Sequence, residues 1–279
     1  MNTLVTSDGL RLNYRLDDFT DPWRKSEILV LLHAAMGSSL RFYAWVPHLA
    51  RHFRVVRLDL RGHGQSEIPD PSAELTVERL ARDVIDLLDD LHCDTAHIAG
   101  SSAGGIIAQQ VTLTYPQRVR SLALFASKPG MKHSHVDYRK WIARIQEKGL
   151  RGFLAETLQD RFEASKTDPG FLQWFLDESS KTDANLLARF VPLMASVDLR
   201  DRLAEIRCPT LVVVPGNDPL GPVSYYHIFR EQIPNVEFFV YEGLPHNITD
   251  AVPDRCAEEL KRFLLKHCDG IGSRSKKEM

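Results

Sequence analysis

Ala96-His97-Ile98-Ala99-Gly100-Ser101-Ser102-Ala103-Gly104-Gly105-Ile106 is the stretch on which the fold turns. It opens as a short apolar run, and a helical pattern follows from Ala103 to Thr114, so a strand is predicted to enter a helix through a very tight turn. Gly100 and Gly104 stand two residues before and two after Ser102. Small residues are required there, because a side chain would occupy the space in which strand and helix meet. The turn lifts Ser102 above the strand end, and the first helical amides, including that of Ala103, point at the same place. The pattern G-x-S-x-G has chemical meaning only in this strand–turn–helix setting. A glycine-rich turn with an incidental serine is the alternative. Ser101 has no bracketing glycine pair and is discounted as the exposed residue.

On either side, apolar runs alternate with amphipathic stretches. Residues 28–32, 54–58, 119–126, 210–214 and 236–241 read as strands, several of them buried on both faces. Residues 77–91 put Leu80, Val84, Leu87, Leu88 and Leu91 on one helical face, and residues 254–266 behave similarly. This alternation predicts an α/β fold: a mostly parallel sheet flanked by helices. Residues 3–7 and 10–16 flank Asp8-Gly9, a hairpin signal that makes one edge antiparallel. From about 131 to 199 no strand is predicted, and the aromatic residues recur at helical spacings. The expected division is therefore a core of 1–130 and 200–268, an inserted helical segment of 131–199, and a Gly/Ser/Lys-rich tail, 269–279, predicted to be disordered.

Composition narrows the class. The chain has 279 residues and a formal net charge of -2, with no basic stripe, so a nucleic-acid partner is not expected. Cys93, Cys208, Cys256 and Cys268 show neither metal-ligand nor C-x-x-C spacing, so no metal is expected and reduced thiols are. The first residues carry no basic region followed by an apolar run, and no segment is long and apolar enough for a membrane span. A cytoplasmic enzyme without membrane contact is the expectation.

A serine hydroxyl needs a base, and the base needs orienting. His246, in Gly243-Leu244-Pro245-His246-Asn247, follows the last predicted strand; Asp218, in Pro215-Gly216-Asn217-Asp218-Pro219, follows the one before it. Loops at the carboxyl ends of parallel strands share one face of a sheet, so both can reach Ser102. A buried carboxylate there would hold the imidazole in one tautomer and stabilise its cation. Alone, each could be bland, a loop histidine packed beside Pro245 or a turn aspartate. The order serine, acid, histidine, each after a strand, is what ties them together. After residues 28–32 comes His33-Ala34-Ala35-Met36-Gly37. Small residues there let the backbone approach the reaction centre, and the amides of Ala35 and Ala103 are the expected oxyanion donors. His33 is expected to be structural.

Taken together, these motifs resemble the α/β-hydrolase superfamily over nearly the whole chain. A further match is Asp59-Leu60-Arg61-Gly62-His63-Gly64-Gln65-Ser66, which resembles the D-x-R-G-x-G-x-S segment of that superfamily, with Asp59, Arg61 and Ser66 in structural roles. By the same resemblance the helical insertion is a cap over the active site, and the catalysis is that of a serine hydrolase needing no cofactor. The departures are informative. The oxyanion loop of such proteins usually begins His-Gly, here His33-Ala34. Carbon–carbon bond hydrolases often carry Asn before the nucleophile and Trp after the histidine; here Ser101 and Asn247 occupy those places. Dehalogenases and epoxide hydrolases use Asp where this chain has Ser102. Carboxylesterases, enol-lactonases of the 3-oxoadipate type and cofactor-free perhydrolases are nearer resemblances. The implied substrate is a small, largely hydrophobic ester or lactone, with Ser101, Trp141, Trp174, Phe175 and Met194 as pocket candidates. A carbon–carbon bond hydrolase, lyase, perhydrolase or oxygenase on the same scaffold, or a non-catalytic binder, stays open because fold does not fix chemistry.

Overall fold

β3 (Ile28–Leu32) is buried at all five positions, which only a strand covered on both faces can be. It pairs in parallel with β4 (Arg54–Leu58) on one side and with β5 (Ala96–Ser101) on the other. The computed structural model describes residues 1–132, 134 and 136–268, so the tail expected to be disordered lies outside the described residues. The remaining strands are β1 (Asn2–Val5), β2 (Arg11–Asp17), β6 (Val119–Phe125), β7 (Thr210–Pro215) and β8 (Val236–Tyr241). The eight form one sheet in the order β1-β2-β4-β3-β5-β6-β7-β8. β1 and β2 are antiparallel to each other, β2 is antiparallel to β4, and all other pairs are parallel. The α/β architecture expected from the alternation of apolar runs is thus present, with its antiparallel edge at the hairpin around Asp8-Gly9, where Gly9 takes φ of 86°.

The helices are α1 (Val46–Leu49), α2 (Val77–Asp90), α3 (Ala103–Thr114), α4 (Tyr138–Glu156), α5 (Pro169–Ser179), α6 (Ala184–Ser196), α7 (His227–Gln232), α8 (Ile248–Ala251) and α9 (Pro253–Leu265). Alternate residues of each central strand face opposite sides of the sheet. Val30, Leu32, Val56, Ile98 and Val212 face Leu80, Val84, Ile107 and Val111 of α2 and α3. Leu29, Leu31, Val55, Ala99 and Leu211 face Trp45, Leu49, Leu260 and Phe263 on the other side. α2 begins where Thr76 accepts a hydrogen bond from the Arg79 amide at 3.1 Å, an N-cap worth about 1 kcal/mol.

The strand order reverses beside β3: β4 follows it on one flank and β5 lies on the other. The connections leave in opposite directions there, which opens a crevice at the carboxyl ends of β3 and β5. Leu32 and Gly100 are partners at that edge. β5 runs two residues past the apolar run because Gly100 and Ser101 continue the ladder against Leu124 and Phe125.

Between β6 and β7 the described residues hold α4, α5, α6 and short 3-10 turns, with an isolated bridge from Gly130 to Asp198. These helices have an apolar cluster of their own, Ile145, Phe153, Phe162, Phe175 and Leu187, joined by Met36 from the loop after β3. α4 is broken at Gly149, whose φ of 70° is outside the helical range.

The segment around Asp59 is scaffold. Asp59 accepts hydrogen bonds from the amides of Ser39 at 2.6 Å and Gln65 at 3.0 Å. Ser66 donates to the Asp59 carbonyl at 2.6 Å and accepts from the Asn13 amide at 2.9 Å. Arg61 forks onto Asp83 at 2.9 and 2.7 Å and also reaches Asp8. None of the three faces the crevice; they tie the loop after β4 to the hairpin and α2.

Candidate active site

The turn between β5 and α3 is strained. Ser102 has φ of 51° and ψ of -116°, a region that costs a non-glycine residue about 1–3 kcal/mol. The surroundings hold it there. Its amide donates to the Phe125 carbonyl at 2.9 Å, and its carbonyl accepts from the Ser127 hydroxyl at 2.8 Å. A Cβ on Gly104 would lie 2.2 Å from the Leu32 carbonyl oxygen, and one on Gly100 2.3 Å from the carbonyl oxygen of Gly104. Both glycines are therefore dictated by contact with backbone, which cannot swing aside.

The structure brings Ser102, Asp218 and His246 into one chain of hydrogen bonds. His246 Nδ1 lies 3.1 Å from both oxygens of Asp218, and its Nε2 lies 3.0 Å from Ser102 Oγ. An ionised carboxylate has no hydrogen to give, so Nδ1 carries the proton and Nε2 is left to accept from the serine hydroxyl. Burial pushes the Asp218 carboxyl upward, but the charge and hydrogen bond of His246, the Tyr226 hydroxyl and the Leu220 amide outweigh it and bring the pKa to about 2. Tyr226 donates to Asp218 Oδ2 at 2.6 Å and the Leu220 amide to Oδ1 at 2.9 Å. Tyr226 was not legible in the sequence as part of the site. Its signal is its place, eight residues past Asp218 in a turn that folds back beneath the carboxylate.

His33 is fully buried, accepts from the Leu60 amide through Nε2 at 3.0 Å, and so donates from Nδ1 to the Ala34 carbonyl at 2.8 Å. Burial lowers its pKa to about 4, so it stays neutral at neutral pH. Three residues after His33, Met36 has φ of 58°, a left-handed conformation that costs roughly 1–2 kcal/mol without glycine. The loop is thus pinned at one end by His33 and turned sharply at the other. Among the described residues no hydrogen bond takes up the amide of Ala35 or of Ala103. Because Leu32 and Gly100 are partners, the segments carrying Ala35 and Ala103 leave the sheet at the same end of β3 and β5.

Ser102 and His246 open into one cavity. Ala35, Met36, Trp141, Phe153, Leu154 and Phe175 line it, together with the polar Arg41, Thr157, Asp160, Arg161 and Asn247. Of the five pocket candidates from the sequence, Trp141 and Phe175 face it. Ser101, Trp174 and Met194 do not. The Ser101 hydroxyl turns away to Thr249 Oγ1 at 3.2 Å. Trp174 packs edge-on against Tyr43, ring centres 5.3 Å apart. Met194 is buried in the core against the sheet. Neighbouring residues on a helix point in different directions, so an aromatic in the right segment is not thereby in the cavity. Arg41 and Arg161 carry no motif in the sequence that marks them as cavity residues. Arg41 is committed: Nε and Nη2 bind the two oxygens of Asp250, each at 2.5 Å, and Nη1 reaches Ser179 at 3.2 Å.

Elsewhere, Glu27, His97 and Cys268 bring ligand-type atoms within 4.8 Å of one another. They sit at the amino ends of β3 and β5, away from Ser102. Those groups have partners already: His97 bonds Ser121 and Glu27 at 2.8 Å each, Arg120 pairs with Glu27 at 3.1 Å, and Cys268 donates to the Leu264 carbonyl at 3.1 Å. Among the described residues no helix is long and apolar enough to cross a membrane.

Comparison with known proteins agrees with the architecture. The family model of the alpha/beta hydrolase fold matches residues 27–250. The 3-oxoadipate enol-lactonase 1 of Acinetobacter baylyi is 29% identical over 209 residues, which cover 71% of this chain and 75% of that one. The pimeloyl-[acyl-carrier protein] methyl ester esterase of Aeromonas hydrophila is 28% identical over 246 residues, covering 85% and 94%. The solved structure of a hydrolase from Pseudomonas aeruginosa superposes with a TM-score of 0.83 at 29% identity, covering 94% of this chain and 97% of that one.

Proposed function

The chain belongs to the alpha/beta hydrolase fold family, and on that footing we propose that it is a serine hydrolase cleaving a small carboxylic ester or lactone through an acyl-enzyme intermediate on Ser102. The observation that carries this reading is the continuous hydrogen-bond chain from Ser102 Oγ through His246 to Asp218 at the apex of a strained turn. The esterase and lactonase activities named for relatives agree with it.

In the proposed reaction Ser102 Oγ attacks the carbonyl carbon while His246 Nε2 takes the hydroxyl proton. The carbonyl electrons move onto oxygen, which meets the amides of Ala35 and Ala103. Asp218 keeps the ring in the attacking tautomer and balances the imidazolium charge; it does not itself take the proton. The tetrahedral adduct collapses, and His246 returns the proton to the leaving alkoxide. In a lactone that alcohol stays tethered to the acyl group. A water molecule, deprotonated by His246, then attacks the ester of Ser102, and the acid departs as the serine hydroxyl is restored. No metal or cofactor takes part in this scheme. The helical segment 131–199 acts in it as a cap: Trp141, Phe153 and Phe175 form the wall opposite the serine and shield it from bulk water.

The test is release of 4-nitrophenol from acetate and butyrate esters by the intact chain and by Ser102→Ala. The expected loss in the variant is at least about three orders of magnitude, the range seen when a triad nucleophile is removed. Hydrolysis that persists at the intact rate in Ser102→Ala would remove Ser102 from the chemistry.

A further inference from the structure

The cavity beside Ser102 is apolar through most of its wall, yet a guanidinium stands at it without a carboxylate. Arg161 follows the 3-10 turn Leu158–Asp160 and lines the cavity. Its Nη1 donates to the Thr157 carbonyl at 2.8 Å and to Thr157 Oγ1 at 2.6 Å, which uses both hydrogens of that nitrogen. The Phe153 ring lies 5.6 Å from the guanidinium carbon and supports its cation. Among the described residues no acid lies within ion-pair distance of Arg161, and Nε and Nη2 have no hydrogen-bond partner. Asp160 is its sequence neighbour and shares the cavity wall but makes no such pair. Burial and the nearby Arg41 charge lower the Arg161 pKa, partly offset by Asp160, to about 10, so the group is a cation at neutral pH.

The free edge is the one formed by Nε and Nη2, two parallel donors in the fork geometry that fits a carboxylate. The fork is also fixed relative to the chemistry. The His246 amide donates to the Asp160 carbonyl at 3.4 Å and the Asn247 amide to the Arg161 carbonyl at 3.3 Å, so the backbone carrying Arg161 is tied to the backbone carrying His246. Leaving a cation half out of water without a partner is unfavourable, and a fold that holds one rigidly at its site gains when an anion arrives. The anion's charge is limited. Arg41 is neutralised by Asp250, and Asp160 adds a negative charge nearby, so one cation is offered and a monoanion fits better than a phosphate dianion.

We propose that Arg161 binds a carboxylate on the acyl part of the substrate, so that the enzyme acts on half-esters or carboxylate-bearing lactones rather than on simple neutral esters. The assignment rests on the serine-hydrolase reading of the same site. It places the carboxylate on the acyl side because the cavity that holds Arg161 also has the oxyanion loop, Ala34, Ala35 and Met36, as its wall. A second cavity at Ser102, lined by Ile106, Ala126, Lys128, Met131 and Leu220, holds neither Arg161 nor the oxyanion loop and is left for the alcohol part. In the same cavity as Ser102 and Arg161, Trp141, Phe153 and Leu154 offer apolar surface suited to a short methylene chain. The carboxylate is a spectator in the acyl transfer.

The experiment compares two probes of equal length and different charge: the mono-4-nitrophenyl ester of glutaric acid and 4-nitrophenyl valerate. The ratio of their kcat/KM values is measured for the intact chain, Arg161→Gln and Arg161→Lys, each checked for an unchanged denaturation midpoint. The intact chain is expected to favour the anionic ester. Arg161→Gln should lower the ratio by about ten- to hundredfold, the size of one hydrogen-bonded charge contact, chiefly through KM. Arg161→Lys should keep part of it, because a point charge replaces the fork. An unchanged ratio in Arg161→Gln overturns the carboxylate proposal while leaving the serine hydrolase standing. If neither ester is hydrolysed, or Ser102→Ala hydrolyses them equally well, the serine reading fails instead. Calorimetric titration with glutarate then decides the binding question alone: affinity at least about tenfold weaker in Arg161→Gln upholds the site, and equal or absent binding in both chains overturns it.

Discussion

The two walls of the cavity are built by different means. On the sheet side, position is set by backbone against backbone. Gly104 meets the Leu32 carbonyl, Gly100 meets Gly104, and Ser102 and Met36 are held at positive φ by their neighbours. On the helical side, position is set by side chains against side chains: Phe153, Phe162, Phe175 and Leu187 pack into a small cluster, and Gly149 interrupts α4 where a Cβ would meet nothing within 4 Å. Backbone contacts tolerate almost no displacement, whereas a cluster of flexible side chains can repack. Chemistry that fails with a shift of about 1 Å belongs on the first wall. Selectivity, which has to be adjusted to a substrate, belongs on the second.

The largest effect should come from the sheet side. Gly104→Ala puts a methyl group 2.2 Å from the Leu32 carbonyl and 2.5 Å from that of His33. Neither carbonyl can rotate away without disturbing β3, so α3 has to move off the strand end and carry the Ala103 amide with it. The expected cost in stability is about 1–3 kcal/mol or more, with ester hydrolysis down by at least about a hundredfold, as for loss of one oxyanion donor. Urea denaturation and kcat/KM on 4-nitrophenyl butyrate measure both. A variant with wild-type values would show that the elbow is softer than the contrast between the walls requires.

How much of each wall could be read from sequence follows from the same contrast. Glycines spaced two on either side of Ser102 are visible in one dimension, because a backbone constraint fixes residue type at a fixed offset. Asp218 and His246 are visible because strand ends put them on one face, whatever the loops do. Arg161 and Phe153 were invisible as cavity residues. Whether they face the cavity depends on the rotation of α4 and the course of the turn after it, and a break at Gly149 shifts the helical phase between Trp141 and Phe153. Ser101 and Met194 fail because sequence position does not give side-chain direction: Ser101, next to Ser102, turns to Thr249, and Met194 on α6 packs into the core against the sheet. Tyr226 lies between these cases. It is close to Asp218 in the chain, but only the fold-back of the 3-10 turn Val223–Tyr226 aims its hydroxyl at the carboxylate.

Tyr226 gives an intermediate effect, because it supports the sheet-side chemistry by a side chain alone. Removing its hydroxyl leaves Asp218 with His246 and the Leu220 amide. The carboxylate keeps its charge but loses one of the bonds that orient it. Tyr226→Phe should lower kcat roughly two- to tenfold, the worth of one ordinary hydrogen bond, with KM unchanged. A merely structural role would instead lower the denaturation midpoint and leave kcat per folded molecule intact. That outcome would move Tyr226 from the positioning of Asp218 to the packing of the core.

The smallest effect on catalysis is expected on the helical side, at Gly149. Its φ of 70° is reached without penalty by glycine, and nothing surrounds the missing Cβ. Gly149→Ala therefore meets no clash but does meet backbone strain, because φ of 70° with ψ of 162° is a region open essentially to glycine alone, a cost of about 1–3 kcal/mol. Alanine also favours helix, so the variant presses α4 to continue through the break rather than turn at it. Straightening α4 would rotate Trp141 relative to Phe153 and change the cavity wall while leaving Ser102, His246 and Asp218 where they are. The expected result is a fall in stability of that size, kcat on 4-nitrophenyl acetate within about twofold of the intact chain, and a change confined to KM for longer acyl chains. A large fall in kcat on the acetate would mean that the break in α4 also positions the histidine loop, through the bonds from His246 and Asn247 to Asp160 and Arg161, and the two walls would then not be independent.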